Sequence, residues 1–275
     1  MKYRELVNAL AKIGVDDPKS EAGIILEHLF GVNGGQIICD PEKDYNEKEI
    51  TPILEKRKMR IPLQHITGKW YFMGREFFVS KECLIPRADT EILVEKAVNE
   101  LKTGGSVADL CTGSGCIGIS MLVYRPDISK MLLCDISNGA LNMAMKNAHL
   151  NGVKEKCSFL LADITKDLPS EKYDMIVSNP PYIPSNDIKS LSPEVQKEPS
   201  LALDGGKDGL QIIDFLLNKG LDYLKDDGKM LIEFGYDQGE KLDTLCTKIK
   251  NDGKIKSYEI LKDYGGNPRC VVVRK

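Results

Sequence analysis

The fold of this chain is decided by the stretch Val107-Ala108-Asp109-Leu110-Cys111-Thr112-Gly113-Ser114-Gly115-Cys116-Ile117-Gly118. An apolar run, a glycine-rich turn and a second apolar run, Ile119 to Val123, predict a strand, a tight loop and a helix. In such a unit the glycines let the backbone approach a nucleotide-type ligand, which the helix N-terminus faces. The spacing Gly113-x-Gly115-x-x-Gly118 also fits a dinucleotide fingerprint, so a nicotinamide cofactor stays an alternative at this point.

Similar units follow along the chain. The apolar runs predict seven strands, at 107–110, 131–134, 158–160, 173–177, 230–233, 258–261 and 270–273. Helices are predicted at 119–123, 138–150, 210–224 and 238–249, with a turn at 226–228. The last two strands form a hairpin, so the sheet is mixed. We therefore expect an α/β, Rossmann-like domain with a seven-stranded mixed sheet.

Two other segments precede that domain. Residues 1–67 have apolar side chains at helical spacing, which predicts a small helical N-terminal domain. Residues 68–85 contain two short aromatic runs about Gly74, which predict a β-hairpin linker; an edge strand pair of the second domain is the alternative. The α/β domain then spans 86–275.

Acidic residues accompany the first three strands of that domain. Asp109 lies four residues before Gly113, where it either braces the glycine turn or meets an ammonium group. A carboxylate there repels a pyrophosphate, whereas S-adenosylmethionine has no phosphate and carries an amino group and a sulfonium. Asp135 is placed to bind ribose hydroxyls. Asp163 is placed to accept a hydrogen bond from an adenine amino group, unless it is simply a loop acid.

The fourth strand ends in Ser178-Asn179-Pro180-Pro181-Tyr182. Asn179 has an amide oxygen, Pro180 has a carbonyl but no N–H, and Tyr182 has a flat ring. Together these groups are suited to bind a planar NH2 group. A simple turn after a strand is the alternative. The polar stretch 183–208 that follows is a candidate substrate lid.

Bulk properties exclude several classes of protein. A net charge of -3 is not the footprint of a protein that binds long nucleic acid. No apolar stretch is long enough to span a membrane, and the N-terminus lacks a signal peptide's apolar segment, so we expect a cytoplasmic protein. No two of the eight cysteines have the C-x-x-C spacing, and we expect no metal site.

Taken together, these motifs resemble those of the bacterial release factor glutamine methyltransferases, which are class I S-adenosylmethionine-dependent enzymes. The segments that carry the resemblance are 109–115, Asp135, 179–182, Pro62-Leu63-Gln64-His65-Ile66-Thr67-Gly68, Ile85-Pro86-Arg87-Ala88-Asp89-Thr90-Glu91, Glu198-Pro199 and 203–210. The resemblance covers nearly the whole chain. DNA adenine methyltransferases also have the Asn-Pro-Pro-Tyr element, so adenine-N6 methylation of nucleic acid is the alternative function. They share none of the other segments, which favours the first family.

The resemblance implies methyl transfer to the side-chain amide of the glutamine in the Gly-Gly-Gln motif of release factors, by a catalytic domain at 86–275. It also implies that the helical N-terminal domain, residues 1–67, helps to dock the release factor. It implies S-adenosylmethionine as the cofactor, bound by Asp109, Cys111, Thr112, Gly113, Ser114, Gly115, Asp135, Asp163, Ile164 and Asn179. It implies catalysis by Asn179, Pro180 and Tyr182, and substrate binding by Asn179, Pro180, Pro181, Tyr182, Arg87 and Glu198. The partners expected are class 1 peptide chain release factors, with no membrane and no direct nucleic-acid contact, and the chain is expected to be a monomer.

Three details depart from or add to the pattern. Ala88 stands where the family usually has proline, and Cys111 stands where it usually has glycine, which narrows the conformational freedom of the turn. Gly34-Gly35-Gln36 repeats the implied substrate tripeptide within this chain. We interpret that repeat as a glycine-rich helix end rather than as a self-methylation site.

Overall fold

The computed structural model describes residues 1–166 and 171–275. The chain divides into two compact units. One contains Met1–Gly68 together with Ser192–Lys197, and the other contains Lys69–Leu191 and Glu198–Lys275. The functional division into a docking domain (1–67), a hairpin linker (68–85) and a catalytic domain (86–275) stays a prediction.

The first unit is helical, as its apolar spacing predicts. Its helices are α1 (Tyr3–Ile13), α2 (Pro18–Phe30), α3 (Gly34–Cys39), α4 (Glu47–Lys58) and α5 (Leu63–Thr67). Their apolar faces form one core, in which Leu6, Leu10 and Ile25 are fully buried. At the start of helix α2, Asp17 Oδ1 accepts from the Ser20 N–H at 3.1 Å and Pro18 occupies the first turn, so both residues favour a helix that begins there.

A buried arginine ties the segment 192–197 to the helices of this unit. Arg57 of α4 is 2% exposed and donates to both carboxylate oxygens of Glu21, at 2.9 and 3.0 Å. It also contacts Glu194 Oε1 at 3.2 Å, while Arg60 contacts Glu194 Oε2 at 2.8 Å. Because a buried guanidinium needs its charge compensated, these carboxylates stabilise Arg57 in place.

The Gly34-Gly35-Gln36 tripeptide begins a helix rather than ending one. Asn33 caps α3, since its Oδ1 accepts from the Gln36 N–H at 3.0 Å. Gln36 Oε1 in turn accepts from the Asn33 N–H at 2.9 Å, which completes a capping box. The side chain of Gln36 therefore has a local structural role.

The second unit contains the predicted mixed sheet. Its hairpin consists of β1 (Lys69–Phe72) and β2 (Arg75–Phe78). The seven strands of the sheet are β3 (Ser106–Leu110), β4 (Lys130–Asp135), β5 (Cys157–Leu161), β6 (Tyr173–Ser178), β7 (Leu224–Glu233), β8 (Ser257–Lys262) and β9 (Pro268–Arg274). Their order is β5-β4-β3-β6-β7-β9-β8, with β9 antiparallel to both neighbours. The α/β Rossmann-like fold with seven strands is thus confirmed.

Helices cover both faces of the sheet. They are α6 (Glu91–Glu100), α7 (Cys116–Tyr124), α8 (Asn138–Leu150), α9 (Gln211–Asn218) and α10 (Gly239–Asn251). One apolar cluster includes residues of α6, α7 and α8, and another includes residues of α9 and α10. Consequently the central strands β3 and β6 are buried along their whole length.

Strand order reverses beside β3, because β4 and β6 lie on opposite sides of it. In parallel sheets this switch opens a crevice at the carboxyl ends of the strands. The glycine loop after β3, Asp135 at the end of β4 and Asn179 after β6 therefore lie at one edge.

Two boundaries differ from the sequence prediction. Helix α9 ends at Asn218, and β7 begins at Leu224, so the predicted turn at 226–228 lies inside a strand. Pairing of Leu224 with Tyr173 holds the strand together across a register irregularity, with Asp227 in the left-handed region at φ 62°. In the described parts of the chain, no helix is both long and apolar enough to cross a membrane.

Candidate active site

A cavity of about 270 Å³ lies at the carboxyl ends of the central strands. The predicted site residues that line this cavity are Arg87, Cys111, Thr112, Gly113, Ser114, Asp135, Asp163, Ile164, Asn179 and Pro181. Asp109, Gly115, Pro180, Tyr182 and Glu198 do not belong to its lining. Thr90, Ile136 and Leu201 line the wall as well, although sequence reasoning gave them no ligand-binding role.

The carboxylate of Asp109 lies beneath the glycine loop. Its Oδ2 accepts from the Thr112 hydroxyl at 2.6 Å and from the Gly118 N–H at 3.0 Å, so it joins the loop to the first turn of α7. Of the two roles that the sequence left open for Asp109, these contacts correspond to bracing the turn. Burial raises the pKa of Asp109 to about 7, against the hydrogen bonds from Thr112 and Gly118.

The loop itself adopts a conformation that favours glycine. Gly113 and Gly115 have φ of 56° and 81°. Cys111 has a φ of 59°, in the same left-handed region, where a side chain costs roughly 1–2 kcal/mol. The departure noted at Cys111 is therefore a source of backbone strain at the cavity wall.

Asp135 links the glycine loop to the end of β4. Its Oδ2 accepts from the Gly113 N–H and its Oδ1 from the Ser137 N–H, both at 2.8 Å. Burial raises the pKa of Asp135, and these backbone donors oppose that rise. Each carboxylate oxygen keeps a lone pair, so Asp135 can still accept hydroxyl groups of a ligand in the cavity.

The segment after β5 forms the neighbouring wall. Asp163 Oδ1 accepts from the hydroxyl and the N–H of Thr165, at 2.6 and 3.0 Å. Lys166 contacts Asp163 Oδ2 at 2.9 Å. These hydrogen bonds, from the Thr165 and Lys166 side chains above all, lower the pKa of Asp163 to about 2. Ile164 is 6% exposed and adds an apolar surface beside the carboxylate.

The amide of Asn179 is held from one side only. Asn179 Nδ2 donates to Thr90 Oγ1 at 3.2 Å, whereas its Oδ1 is buried and has no hydrogen-bond partner among the described residues. The side chain of Thr90, which directly precedes α6, makes no cap hydrogen bond to that helix. An unpartnered buried oxygen at a cavity wall is an acceptor available to a ligand.

Tyr182 is fixed at both its backbone and its ring. Its hydroxyl donates to Glu233 Oε1 at 3.1 Å, and its carbonyl accepts from Gln238 Nε2 at 2.9 Å. Burial raises the pKa of Tyr182, and the nearby Glu233 carboxyl adds to the shift. Burial also raises the pKa of Glu233, the last residue of β7, to about 7. Sequence reasoning missed Glu233, although its place at a strand end beside Asn179 was a usable signal.

Arg87 and Glu198 contact each other. The Arg87 guanidinium forms an ion pair with Glu198 Oε1, and Glu198 Oε2 accepts from the Ile85 N–H at 2.8 Å. Burial raises the pKa of Glu198, with Arg87 opposing it. The pair therefore connects the segment before α6 to the polar stretch 183–208. Its use in substrate binding stays a prediction.

Family models match both parts of the chain. One described as "Methyltransferase small domain" matches residues 87–194, and one described as "PrmC N-terminal domain" matches residues 3–68. Among solved structures, a ribosomal protein L11 methylase from Lactobacillus delbrueckii subsp. bulgaricus has a TM-score of 0.50 and 21% identity, covering 72% of this chain and 84% of that chain. TYW2 of M. jannaschii, in complex with AdoMet, has a TM-score of 0.51 and 16% identity, covering 75% and 84%. At these identities the likeness shows the fold alone.

Curated relatives are much more similar. A release factor glutamine methyltransferase from Moorella thermoacetica is 35% identical over 271 residues, which is 97% of this chain and 94% of the relative. One from Aquifex aeolicus is 33% identical over 274 residues, which is 98% of this chain and 95% of the relative. On the strength of this similarity over almost its whole length, the chain belongs to the release factor glutamine methyltransferase family.

Proposed function

We propose that this chain transfers the methyl group of S-adenosylmethionine to the side-chain amide nitrogen of the glutamine in the Gly-Gly-Gln motif of class 1 peptide chain release factors. The observation that carries the proposal is the buried, unpartnered Oδ1 of Asn179, at the wall of a cavity whose other wall is a glycine loop. Such an oxygen needs an N–H donor, which a primary amide supplies.

The residues of the cavity fit the cofactor. The glycine loop brings backbone close to the space, and Asp135 keeps acceptor capacity for ribose hydroxyls. Asp163 and Ile164 provide one polar and one apolar surface for an adenine ring. When bound, S-adenosylmethionine supplies a methyl group activated by the sulfonium. Asp109 serves this site by bracing the loop from beneath, through its contacts with Thr112 and Gly118.

The grip on the substrate uses acceptors of fixed position. Asn179 Oδ1 and the Pro180 carbonyl accept the two N–H groups of the glutamine amide, while Pro181 and the Tyr182 ring pack against its plane. An amide nitrogen is a poor nucleophile because its lone pair is delocalised, so alignment with the methyl group is the main contribution of the protein. Positioning of this kind lowers a barrier by as much as roughly 7–11 kcal/mol.

A strong general base is not required. The nitrogen becomes cationic and acidic as the new N–C bond forms, and its proton leaves afterwards. Acceptors aimed at the N–H groups become stronger partners as positive charge develops, so they bind the transition state more tightly than the ground state. This electrostatic role explains why the site carries carbonyl oxygens rather than a histidine.

The neighbouring residues and segments also have roles in the proposed reaction. Arg87 and Glu198 bind the release factor beside the cavity, where their ion pair already orders the segment. The helical N-terminal domain docks the release factor, and 183–208 closes over the substrate glutamine. The chain works in the cytoplasm as a monomer, with no direct contact to nucleic acid or to a membrane.

The test mixes the protein with labelled S-adenosylmethionine and one of three acceptors. These are a release factor, the same release factor with Gln→Ala in its Gly-Gly-Gln motif, and double-stranded DNA that contains adenine. We expect label on the first acceptor alone. Equal label on the Gln→Ala factor, or label on DNA only, would overturn the proposal, and the second result would establish the adenine alternative.

A further inference from the structure

Two consecutive prolines leave the loop after β6 short of backbone donors. Neither Pro180 nor Pro181 has an N–H group, so neither can be held in place by donating a hydrogen bond. The proposed function nevertheless requires the Pro180 carbonyl to keep one position. The contacts of the next two residues, Tyr182 and Ile183, therefore matter for the aim of that carbonyl.

Both backbone groups of Ile183 are paired. Its N–H donates to the Leu203 carbonyl at 3.0 Å, and its carbonyl accepts from the Gly205 N–H at 2.9 Å. These two hydrogen bonds form a parallel bridge between Ile183 and Asp204. The backbone directly after the Asn-Pro-Pro-Tyr motif is thus fixed to the segment 203–205.

The carbonyl of Tyr182 is held by a side chain from another loop. Gln238, which directly precedes α10, is 2% exposed, and its Nε2 donates to the Tyr182 carbonyl at 2.9 Å. Its Oε1 accepts from the Gly235 N–H at 2.8 Å. The reverse orientation of this buried amide would set acceptor against acceptor and donor against donor. The two partners therefore fix the direction in which Gln238 donates.

Two glycines make room for these contacts. A Cβ on Gly209 would lie 2.2 Å from the Tyr182 carbonyl oxygen and 2.5 Å from Gln238 Nε2, in the space of their hydrogen bond. A Cβ on Gly205 would lie 2.7 Å from Tyr182 Cα and 2.8 Å from the Pro181 carbonyl oxygen. Apart from Gln238 Nε2, these are backbone atoms of the motif, which cannot rotate away as the end of a side chain can. A side chain at either glycine would therefore displace the motif itself.

These glycines and Gln238 act from outside the cavity. The described residues of the cavity wall include Asn179 and Pro181 but not Gly205, Gly209 or Gln238. A substitution at one of the three changes the position of the motif without removing a group from the cofactor cavity. Their effect on the reaction can therefore be measured separately from cofactor binding.

We propose that Gly205, Gly209 and Gln238 form a clamp that positions the Pro180 carbonyl for the methyl transfer, by holding the backbone that follows it. The inference rests on the proposed function and adds no bond-making or proton-transfer step to it. The clamp residues touch neither the substrate nor the cofactor. They contribute by limiting the movement of an acceptor that aligns the substrate nitrogen.

The decisive variant is Gly209→Ala. Gly209 has φ 75°, and Gly253, just after α10, has φ 72° with no atom within 4 Å of an added Cβ. Gly253→Ala therefore has the same backbone strain without the clash and is the matched control. Relief of a 2.2 Å contact moves the Tyr182 carbonyl by about 1 Å, and a misplacement of that size costs roughly a hundredfold in rate. We expect kcat to fall by that factor in Gly209→Ala and to stay at the wild-type level in Gly253→Ala.

A second variant removes the hydrogen bond and leaves the glycines intact. Gln238→Met nearly keeps the volume of the side chain but has no donor for the Tyr182 carbonyl. We expect kcat to fall roughly three- to tenfold, as the loss of one hydrogen bond predicts. The affinity for S-adenosylmethionine, measured by calorimetric titration, should stay unchanged in both variants, whereas a general folding defect would weaken it. The double variant Gly209→Ala/Gln238→Met should lose less than the product of the single losses, because both changes act on one carbonyl.

The outcomes separate this inference from the proposed function. Wild-type kcat in Gly209→Ala or Gln238→Met, an equal loss of kcat in Gly253→Ala, or a parallel loss of S-adenosylmethionine binding would overturn the clamp. Multiplicative losses in the double variant would overturn it as well. In each of these cases methylation of the release factor by the wild type still supports the proposed function. Failure of the wild type to label the release factor would instead overturn the proposed function, and the clamp with it.

Discussion

Two glycines of the loop after β3 have similar backbones but different surroundings. Gly115 has φ 81°, and a Cβ added there would lie 2.6 Å from Ile119 Cδ1 and 3.1 Å from Ala144 Cβ. Gly113 has φ 56°, and an added Cβ would meet no atom within 4 Å. Substitution of each by alanine therefore separates the cost of backbone strain from the cost of overpacking.

The expected magnitudes follow from these contacts. Both variants place a side chain in the left-handed region, which costs roughly 1–2 kcal/mol. Gly115→Ala adds a clash, since Ile119 can rotate a terminal methyl away but Ala144 Cα, at 3.3 Å, belongs to the backbone of α8. Overpacking of this kind costs about 1–3 kcal/mol more. We therefore expect the free energy of unfolding to fall by about 2–5 kcal/mol in Gly115→Ala and by about 1–2 kcal/mol in Gly113→Ala.

Urea unfolding measures the difference. The single tryptophan, Trp70, lies in β1 of the second unit, so its fluorescence reports on the unit that contains the loop. Calorimetric titration with S-adenosylmethionine provides the complementary result, because Gly113 lines the cavity and Gly115 does not. Gly113→Ala should weaken binding despite its smaller effect on stability. Equal destabilisation by the two variants would refute the reasoning.

Three further predictions concern other parts of the chain. Burial raises the pKa of Glu100, but hydrogen bonds from Lys229 and two other cations outweigh it and lower the value to about 2. The stabilisation by ionised Glu100 is therefore present above about pH 4.5 and is lost as the pH falls towards 2. We expect Glu100→Gln to lower the free energy of unfolding by about 2–3 kcal/mol near neutrality and by less in acid. If urea unfolding gave the same difference between variant and wild type at both pH values, the prediction would be contradicted. Arg57→Met should leave the half-buried Glu21 without its partner and lower the stability of the first unit by about 2–4 kcal/mol in calorimetry, and an unchanged melting transition would argue against it. Gln36 should stay unmodified after incubation with S-adenosylmethionine, because its side chain completes the cap of α3; peptide mapping that finds it methylated would show otherwise.

The parts of the fold that the sequence predicts are those built from local patterns. Each strand of the sheet contains an apolar run, and in the loop at 111–115 two of the three left-handed residues, Gly113 and Gly115, are glycines. Parallel strands then place Asp135 and Asn179 at one edge without any knowledge of their contacts. For this reason the sequence could place Asp135 and Asn179 in the cavity wall, whereas it gave Thr90, Ile136 and Leu201 of the same wall no ligand-binding role.

What the sequence does not predict depends on distant partners. The sequence Asp226-Asp227-Gly228 is typical of a turn. In the structure the pairing of β7 with β6 begins at Leu224, so these three residues lie within the strand. Arg87 and Glu198 are 111 residues apart, so the sequence does not predict that they form an ion pair in which each neutralises the charge of the other. Glu233 is the last residue of an apolar strand, a position that does not by itself predict burial. It is buried because Tyr182 and β9 pack around it. Local propensity therefore identifies the elements, whereas long-range packing determines the charges of the site.

The most direct test of the account is the location of the transferred methyl group. After incubation of the protein with S-adenosylmethionine and a class 1 release factor, tandem mass spectrometry of the peptide that contains Gly-Gly-Gln should place one methyl group on the glutamine side-chain nitrogen. Asn179→Ala should leave that peptide unmethylated while S-adenosylmethionine still binds, and Asn251→Ala, at the exposed end of α10, should methylate it fully. A methyl group on any other residue, or full methylation by Asn179→Ala, would contradict the central claim.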